Sequence, residues 1–276
     1  NSGYALYHTQ CPCNTGCPGG FSGGGMDDRF DLWLTSNSMQ DGEGLDYLAD
    51  FTVANGAYPF AYGNDGSKYN TDINAGGTNG MVPIAVANAL HDASDHLPVV
   101  ITLQLPPQVA VVAGLDFGSV LIGATAEVVL PVGNSAIPPA DELTYTLTAP
   151  AGFTAPAGTF EAVALAPSNH HLLGMDTGTV GTKAGTLTVN SDDLDTPTAN
   201  VSLTGAVLDH ATASLDSVSA LLATSLDFGD HPIGQFADRA VRVHNLGYDA
   251  LQARLSVNAA NIVGGDGRFS IVGGFS

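Results

Sequence analysis

Three textures of apolar and polar positions follow one another along the chain. Over residues 29–35, Phe30, Leu32 and Leu34 alternate with Arg29, Asp31, Trp33 and Thr35, the period of a strand with two distinct faces. Asp31 is thereby expected on the face opposite Phe30 and Leu32. Residues 4–7 and 46–53 also read as short strands, the second carrying polar Asp50. Over 82–92 the period changes: Val82, Ala85, Val86, Ala89 and Leu90 recur at helical spacing. Asn79 or Thr78 can cap this helix, and Pro83 stands near its first turn, where proline is tolerated. The helix gives way near 91–93 to an apolar strand over 97–103, and Pro106-Pro107 closes the first unit.

Beyond Pro107 charged residues thin out, and short Val/Thr/Leu runs alternate with Gly and Asn turns, as in an antiparallel sandwich. A repeat is visible. Gly114-Leu-Asp-Phe-Gly-Ser-Val-Leu-Ile-Gly123 returns as Ser225-Leu-Asp-Phe-Gly-Asp-His-Pro-Ile-Gly234. Each copy is followed by an alternating strand, 127–134 and 240–247, that runs into a turn. The stretch 184–205 reads as two strands joined by an Asp-rich turn. Asp192, Asp193 and Asp195 in that turn serve either Asx-turn chemistry, the simpler reading, or a Ca²⁺ ion. The reading is of three regions: 1–106, a sandwich over 107–207, and a linker with an incomplete second module over 208–276.

Composition narrows the setting. Among 276 residues, 27 are Asp or Glu and 7 are Lys or Arg, a formal charge of -20. That balance favours solubility and cation binding and opposes long-range attraction of nucleic acid or anionic membrane. With 44% hydrophobic residues a sizeable core is available. No apolar run reaches the roughly 18 residues a membrane-spanning helix needs. The chain opens at Asn1 and closes at Ser276 inside an unfinished repeat, so an internal piece of a longer protein is expected.

The three cysteines fall together at Cys11, Cys13 and Cys17. A disulfide linking Cys17 to either Cys11 or Cys13 is the leading reading, and a zinc site completed by His8 is the alternative. The Gly-rich stretch 19–25 lacks the Gly-Lys-Ser/Thr end of a phosphate loop and reads as a plain loop. Asn64-Asp65-Gly66 lacks the spaced acids of a calcium loop. His170, His171, His210, His231 and His244 are scattered without carboxylate partners and read as surface or edge residues.

One stretch concentrates chemistry. In Ala93-Ser94-Asp95-His96-Leu97-Pro98-Val99-Val100 an acid and an imidazole stand side by side where helix passes to strand. Together with Asp27-Asp28-Arg29-Phe30-Asp31-Leu32-Trp33-Leu34-Thr35-Ser36, it resembles the Ser-Asp-His and Arg-x-Asp strands of the endonuclease/exonuclease/phosphatase superfamily. That group includes deoxyribonuclease I-like nucleases, inositol polyphosphate phosphatases and neutral sphingomyelinases. The resemblance covers 1–106 and implies the second half of an α+β two-sheet sandwich. It casts His96 as the catalytic histidine that activates water, and Asp31 as the carboxylate that orients it. It also casts Asp95 as a ligand of Mg²⁺ (or Mn²⁺ or Ca²⁺), with Arg29 either touching phosphate or forming a structural ion pair. The family's metal-binding Glu and its Asp-x-Asn strand have no match here, so these residues alone are expected to hydrolyse nothing.

The Leu-Asp-Phe-Gly openings and the Ser-Asp-Asp-x-Asp-x-Pro hairpin resemble the immunoglobulin-like repeats of Hydin and abnormal-spindle type. The closest pattern is that of choice-of-anchor D modules in secreted bacterial proteins. The joint expectation is a piece of a secreted or surface-held bacterial phosphodiesterase, a nuclease first. Its substrate would be a phosphoester in nucleic acid, phospholipid or sugar phosphate, and its all-β modules would space or tether it to a surface or matrix. The alternative is a non-catalytic adhesion or structural protein with a degenerate phosphatase-like unit.

Overall fold

The computed structural model describes residues 2–48, 60–265 and 267–273. In chain order the strands and helix are β1 (Asp46–Tyr47), β2 (Phe60–Ala61), α1 (Ile84–Ala93), β3 (Val99–Val100) and β4 (Leu103–Gln104). Then follow β5 (Val109–Val111), β6 (Gly114–Leu121), β7 (Glu127–Asn134), β8 (Leu143–Thr148), β9 (Phe153–Thr154) and β10 (Thr159–Ala162). The last are β11 (Asn169–Met175), β12 (Gly181–Ser191), β13 (Thr198–Leu208), β14 (Ala213–Ser214) and β15 (His244–Asn245).

Strands β5 to β13 make two sheets, ordered β10-β8-β12-β13-β6 and β5-β7-β11-β9. Leu130 and Leu173 from one sheet meet Tyr145, Leu187, Val189 and Leu203 from the other in a single dry core. Alternation explains why: in β12, Leu187 and Val189 point inward while Thr, Lys and Asn stand between the apolar positions. The first long strand and the last, β6 and β13, lie side by side in parallel, which closes the module. The region read as an immunoglobulin-like sandwich is a β-sandwich of a five-stranded and a four-stranded sheet.

The hairpin β12–β13 forms as read, and its turn belongs to the protein's own backbone. Asp193 Oδ1 accepts the Asp195 and Thr196 N–H groups at 2.9 and 3.0 Å, and its Oδ2 accepts Val109 N–H at 2.8 Å. Asp192 takes Thr144 N–H on both oxygens. The Asx-turn reading holds.

His171 corrects the surface reading. It is buried, its Nε2 lies 2.7 Å from Tyr145 Oη, and its ring centroid is 4.4 Å from that of Phe160. Burial, with the neighbouring His170 charge, pushes this imidazole below its usual value. A buried neutral histidine contributes stability above the unfolded-state value of about 6.5 and loses it as pH falls. The sandwich is therefore expected to melt progressively lower below about pH 6.5. His171→Gln should flatten that dependence; an unchanged profile in thermal melts would refute the assignment.

Residues ahead of the sandwich differ more from expectation. Residues 4–7 lie in the 3-10 helix Ser2–Tyr7. The run 97–103 splits into β3, paired with β2, and β4, paired with β1. Of the 46–53 strand, β1 is present; Asp50 lies outside the described residues. Helix α1 forms two residues later than its pattern starts, because Pro83 takes the N-cap and Asn79 accepts the Met81 and Val82 N–H groups ahead of it. No strand runs through 27–36. Phe30, Leu32 and Leu34 are 62%, 59% and 91% exposed. An alternating segment becomes a strand only where a neighbouring strand takes its hydrogen bonds and one face. Beyond Asp28 no described strand pairs with this segment, and its Phe30 and Asp31 N–H groups go to the Thr9 side chain instead. A small core of Met26, Ala61, Ile73 and Leu97, with Leu90 against it, holds the unit. The described part of 1–106 thus has two short ladders, one α-helix and four short 3-10 helices, and the α+β two-sheet half is not seen in it.

The unit passes into the sandwich through a corner that is then built a second time. Leu105 N–H donates to Pro139 O and Asp141 N–H to Leu105 O; likewise Asp209 N–H donates to Leu251 O and Ala253 N–H to Asp209 O. Asn134 Oδ1 accepts Gln108 N–H, and Asn245 Oδ1 accepts Thr212 N–H. The ladder β5–β7 pairs Val109 with Asn134, as β14–β15 pairs Ala213 with Asn245. The second copy of the repeat stops there: residues 215–243 join no ladder among those described. The first copy's Leu115-Asp-Phe lies against β13, and residues 209–276 contain no second Ser-Asp-Asp hairpin to play that part.

Candidate functional site

A short backbone segment holds the two chemical stretches together. Thr9 N–H donates to Asp28 O and Leu97 N–H to Thr9 O, both at 2.8 Å, while Gln10 bridges His96 on one side and Asp28 on the other. The Thr9 hydroxyl oxygen accepts the Phe30 and Asp31 N–H groups at 3.1 and 3.2 Å. His8 Nδ1 lies 3.0 Å from Met26 O on the same seam. Thr9 is thus the positioning residue between Asp31 and His96, and nothing in its sequence neighbourhood marks it.

The outcome is a pair. His96 Nδ1 lies 2.8 Å from Asp31 Oδ2, with both side chains part-exposed. A carboxylate on Nδ1 selects the tautomer in which Nδ1–H donates and Nε2 keeps its lone pair. His96 N–H is in turn held by Ser94 Oγ at 3.1 Å. The pair is therefore an imidazole oriented to accept a proton at Nε2, open to solvent.

Burial pushes the Asp31 carboxyl upward, but hydrogen bonds from His96 and Thr9 and the histidine's charge outweigh it and leave it below its usual value. The small stability this confers is present above the unfolded carboxylate value of about 3.9 and is lost as pH falls through the lower folded value. His96→Ala is expected to raise the Asp31 midpoint in a carboxyl ¹³C NMR titration. An unmoved midpoint would mean the two side chains do not interact in solution.

Arg29 and Asp95 have contacts of their own. The Arg29 guanidinium lies 5.6 Å from the centre of the Tyr7 ring, a cation–π contact that favours its structural role. Asp95 Oδ2 accepts Ser22 N–H at 3.4 Å. Among the described residues, Asp95 belongs to no group of three metal-ligating side chains. Mg²⁺ keeps several waters and is commonly held through one or two carboxylates and phosphate oxygens, so Asp95 could supply one of its six oxygens and the remaining protein ligands are not among the residues described around it.

Of the cysteines, Cys13 and Cys17 form the disulfide, with Cα atoms 5.6 Å apart. Cys11 is a buried thiol, raised by that burial and by the charges of Asp95, Asp27 and Asp28. The zinc set of three cysteines and His8 is thereby excluded in the disulfide form. A different group, unread in the sequence, is present: Cys13, Asp72 and His91, whose ligand atoms lie within 4.8 Å of one another. Residues 13, 72 and 91 carry no motif spacing that would reveal it.

No family model matches the chain, and no curated protein matches it. Among solved structures it is similar to the ASH/PapD-like domain 7 of human CEP192, at 16% identity and TM-score 0.30, over 37% of this chain and 85% of that one. It is similar also to a protein of unknown function from Porphyromonas gingivalis W83, at 15% identity and TM-score 0.30, over 41% of this chain and 59% of that one.

Proposed function

We propose that residues 1–106 are part of a phosphoester hydrolase of the endonuclease/exonuclease/phosphatase type, secreted and carried on immunoglobulin-like modules. The observation that carries this reading is the contact between Asp31 and His96, two residues 65 positions apart that the motif resemblance pairs. In it, Asp31 holds the imidazole and stabilises the imidazolium, while Nε2 takes a proton from the attacking water. Nothing else in the described chain completes such a site: Asp95 stands apart from further ligands, and the Glu and Asp-x-Asn of the family have no match. The 276-residue chain by itself is therefore proposed to be inactive.

Nuclease is the preferred subclass, although the charge of -20 gives no steering toward duplex DNA. The test is hydrolysis of DNA, RNA, sphingomyelin and a chromogenic phosphodiester by the product of the full reading frame, with Mg²⁺ supplied. Turnover of a nucleic acid above the rest supports the nuclease assignment, and turnover of the lipid alone replaces it. Turnover of none leaves the adhesion reading, in which the sandwich is the working part. Mg²⁺-dependent turnover by the 276-residue chain alone would refute its proposed inactivity.

A further inference from the structure

The group of Cys13, Asp72 and His91 shares no residue with the Asp31–His96 pair and is tied to the cysteine loop. Cys13 is 1% exposed. Asp72 Oδ1 accepts Asn14 N–H and stands 3.7 Å from His91 Nε2. The other nitrogen of that ring, Nδ1, is engaged by Asp92 Oδ1 at 2.6 Å. That is the arrangement of a metal-binding histidine: one nitrogen faces the other donors, and a carboxylate on the second nitrogen fixes ring and tautomer. The His91 side chain is only 17% exposed, so little solvent competes at that nitrogen.

In the disulfide form the set lacks thiolates, and a disulfide sulfur is a poor ligand beside one. Reduction would release two at once, because Cys17 is the bonded neighbour of Cys13. We propose that the reduced cysteine loop is a zinc site, with Cys13, Cys17, His91 and Asp72 as its four ligands. The disulfide is then the alternative, metal-free state of the same loop. Two thiolates, an imidazole and a carboxylate are a tetrahedral zinc donor set, and with bonds of about 2.0–2.3 Å they stand roughly 3.4–3.8 Å apart. The spread of Cys13, Asp72 and His91, within 4.8 Å, closes to that by about an ångström, while Cys17 Sγ, freed from its bond to Cys13, moves outward to its own corner.

The steps balance. A phosphine reductant donates two electrons to the S–S bond and takes oxygen from water to become a phosphine oxide, and the two water protons complete two thiols. Zn²⁺ then displaces both thiol protons to solvent as the two Zn–S bonds form. In the metal form the loop 13–17 is fastened to α1 through His91, as it is fastened to itself by the disulfide in the other.

The test uses the whole 276-residue chain, reduced with a phosphine and titrated anaerobically with Co²⁺, followed by Zn²⁺. One Co²⁺ per chain is expected, with thiolate-to-cobalt charge-transfer absorption that Zn²⁺ abolishes, and none in the oxidised chain. Cys13→Ser and Cys17→Ser should remove the band, and Cys11→Ser should leave it. His91→Ala should weaken zinc binding at least 100-fold, and Asp92→Asn, acting through His91, about 10-fold. No band from the reduced chain overturns the proposal. So does a band that survives His91→Ala but not Cys11→Ser, which would assign the metal to the three cysteines. If reduction lowers the circular dichroism, recovery on adding Zn²⁺ supports the site, and failure to recover counts against it.

Discussion

Asn134→Ala is expected to destabilise the sandwich by about 3 kcal/mol, roughly a hundredfold in its folding equilibrium. The side chain is 3% exposed and uses all of its hydrogen-bonding capacity. Its oxygen accepts Gln108 and Ala136 N–H at 3.0 and 3.1 Å, and its amide donates to Asp141 O at 2.8 Å and Ala162 O at 3.2 Å. One residue thus joins the chain entering the sandwich, the end of β7 and the segment leading into β8. Alanine strands four backbone groups at a buried corner, where each unsatisfied group costs about 1–3 kcal/mol before relaxation. Asn245→Ala should cost much less, since that amide makes two such bonds, to Thr212 and Ala253, at a part-buried site. Amide exchange of the β12–β13 hairpin reads both effects. Equal losses from the two variants would show that the Asn134 network is not what closes the corner.

Asp31→Asn is expected to lower kcat/KM of the full-length protein on a phosphodiester by about 10²–10³-fold while leaving the fold intact. The carboxamide is nearly isosteric with the carboxylate, so the Thr9 contacts to the Phe30 and Asp31 backbone survive. What changes is the proton. An amide that turns its NH₂ toward Nδ1 selects the Nε2–H tautomer, which has no lone pair for water, and a neutral amide cannot stabilise an imidazolium. A loss confined to KM would place Asp31 in substrate binding instead.

How much could be read in advance differs between the two halves, for a physical reason. In the sandwich each strand carries its own evidence: Leu187 and Val189 in β12 alternate with polar residues, and an Asp-rich turn stands between the two strands. Both sheets needed to bury those faces lie within 107–208, so local pattern and tertiary outcome agree. Over 29–35 the same period two is present, but a strand needs a neighbour, and Phe30, Leu32 and Leu34 lie open. The pairing of Asp31 with His96 was legible only through the resemblance of two motifs, since composition and spacing do not connect them. Cys17 was legible as half of a disulfide, and its choice of Cys13 over Cys11 was not, because both candidates lie within reach along the chain and only the fold separates them. His171 was misread for a related reason. An isolated histidine in a strand gives no sign of the tyrosine and phenylalanine that close over it from the opposite sheet.

The proposed role of His96, oriented by Asp31, is that of the base in a hydrolytic site. Its most direct test is Mg²⁺-supplied turnover of a chromogenic phosphodiester by the full-length protein and its His96→Ala variant, both shown to be folded. Measurable turnover that falls by about 10³-fold in the variant is expected if His96 is the base. Equal turnover by the two proteins would contradict it.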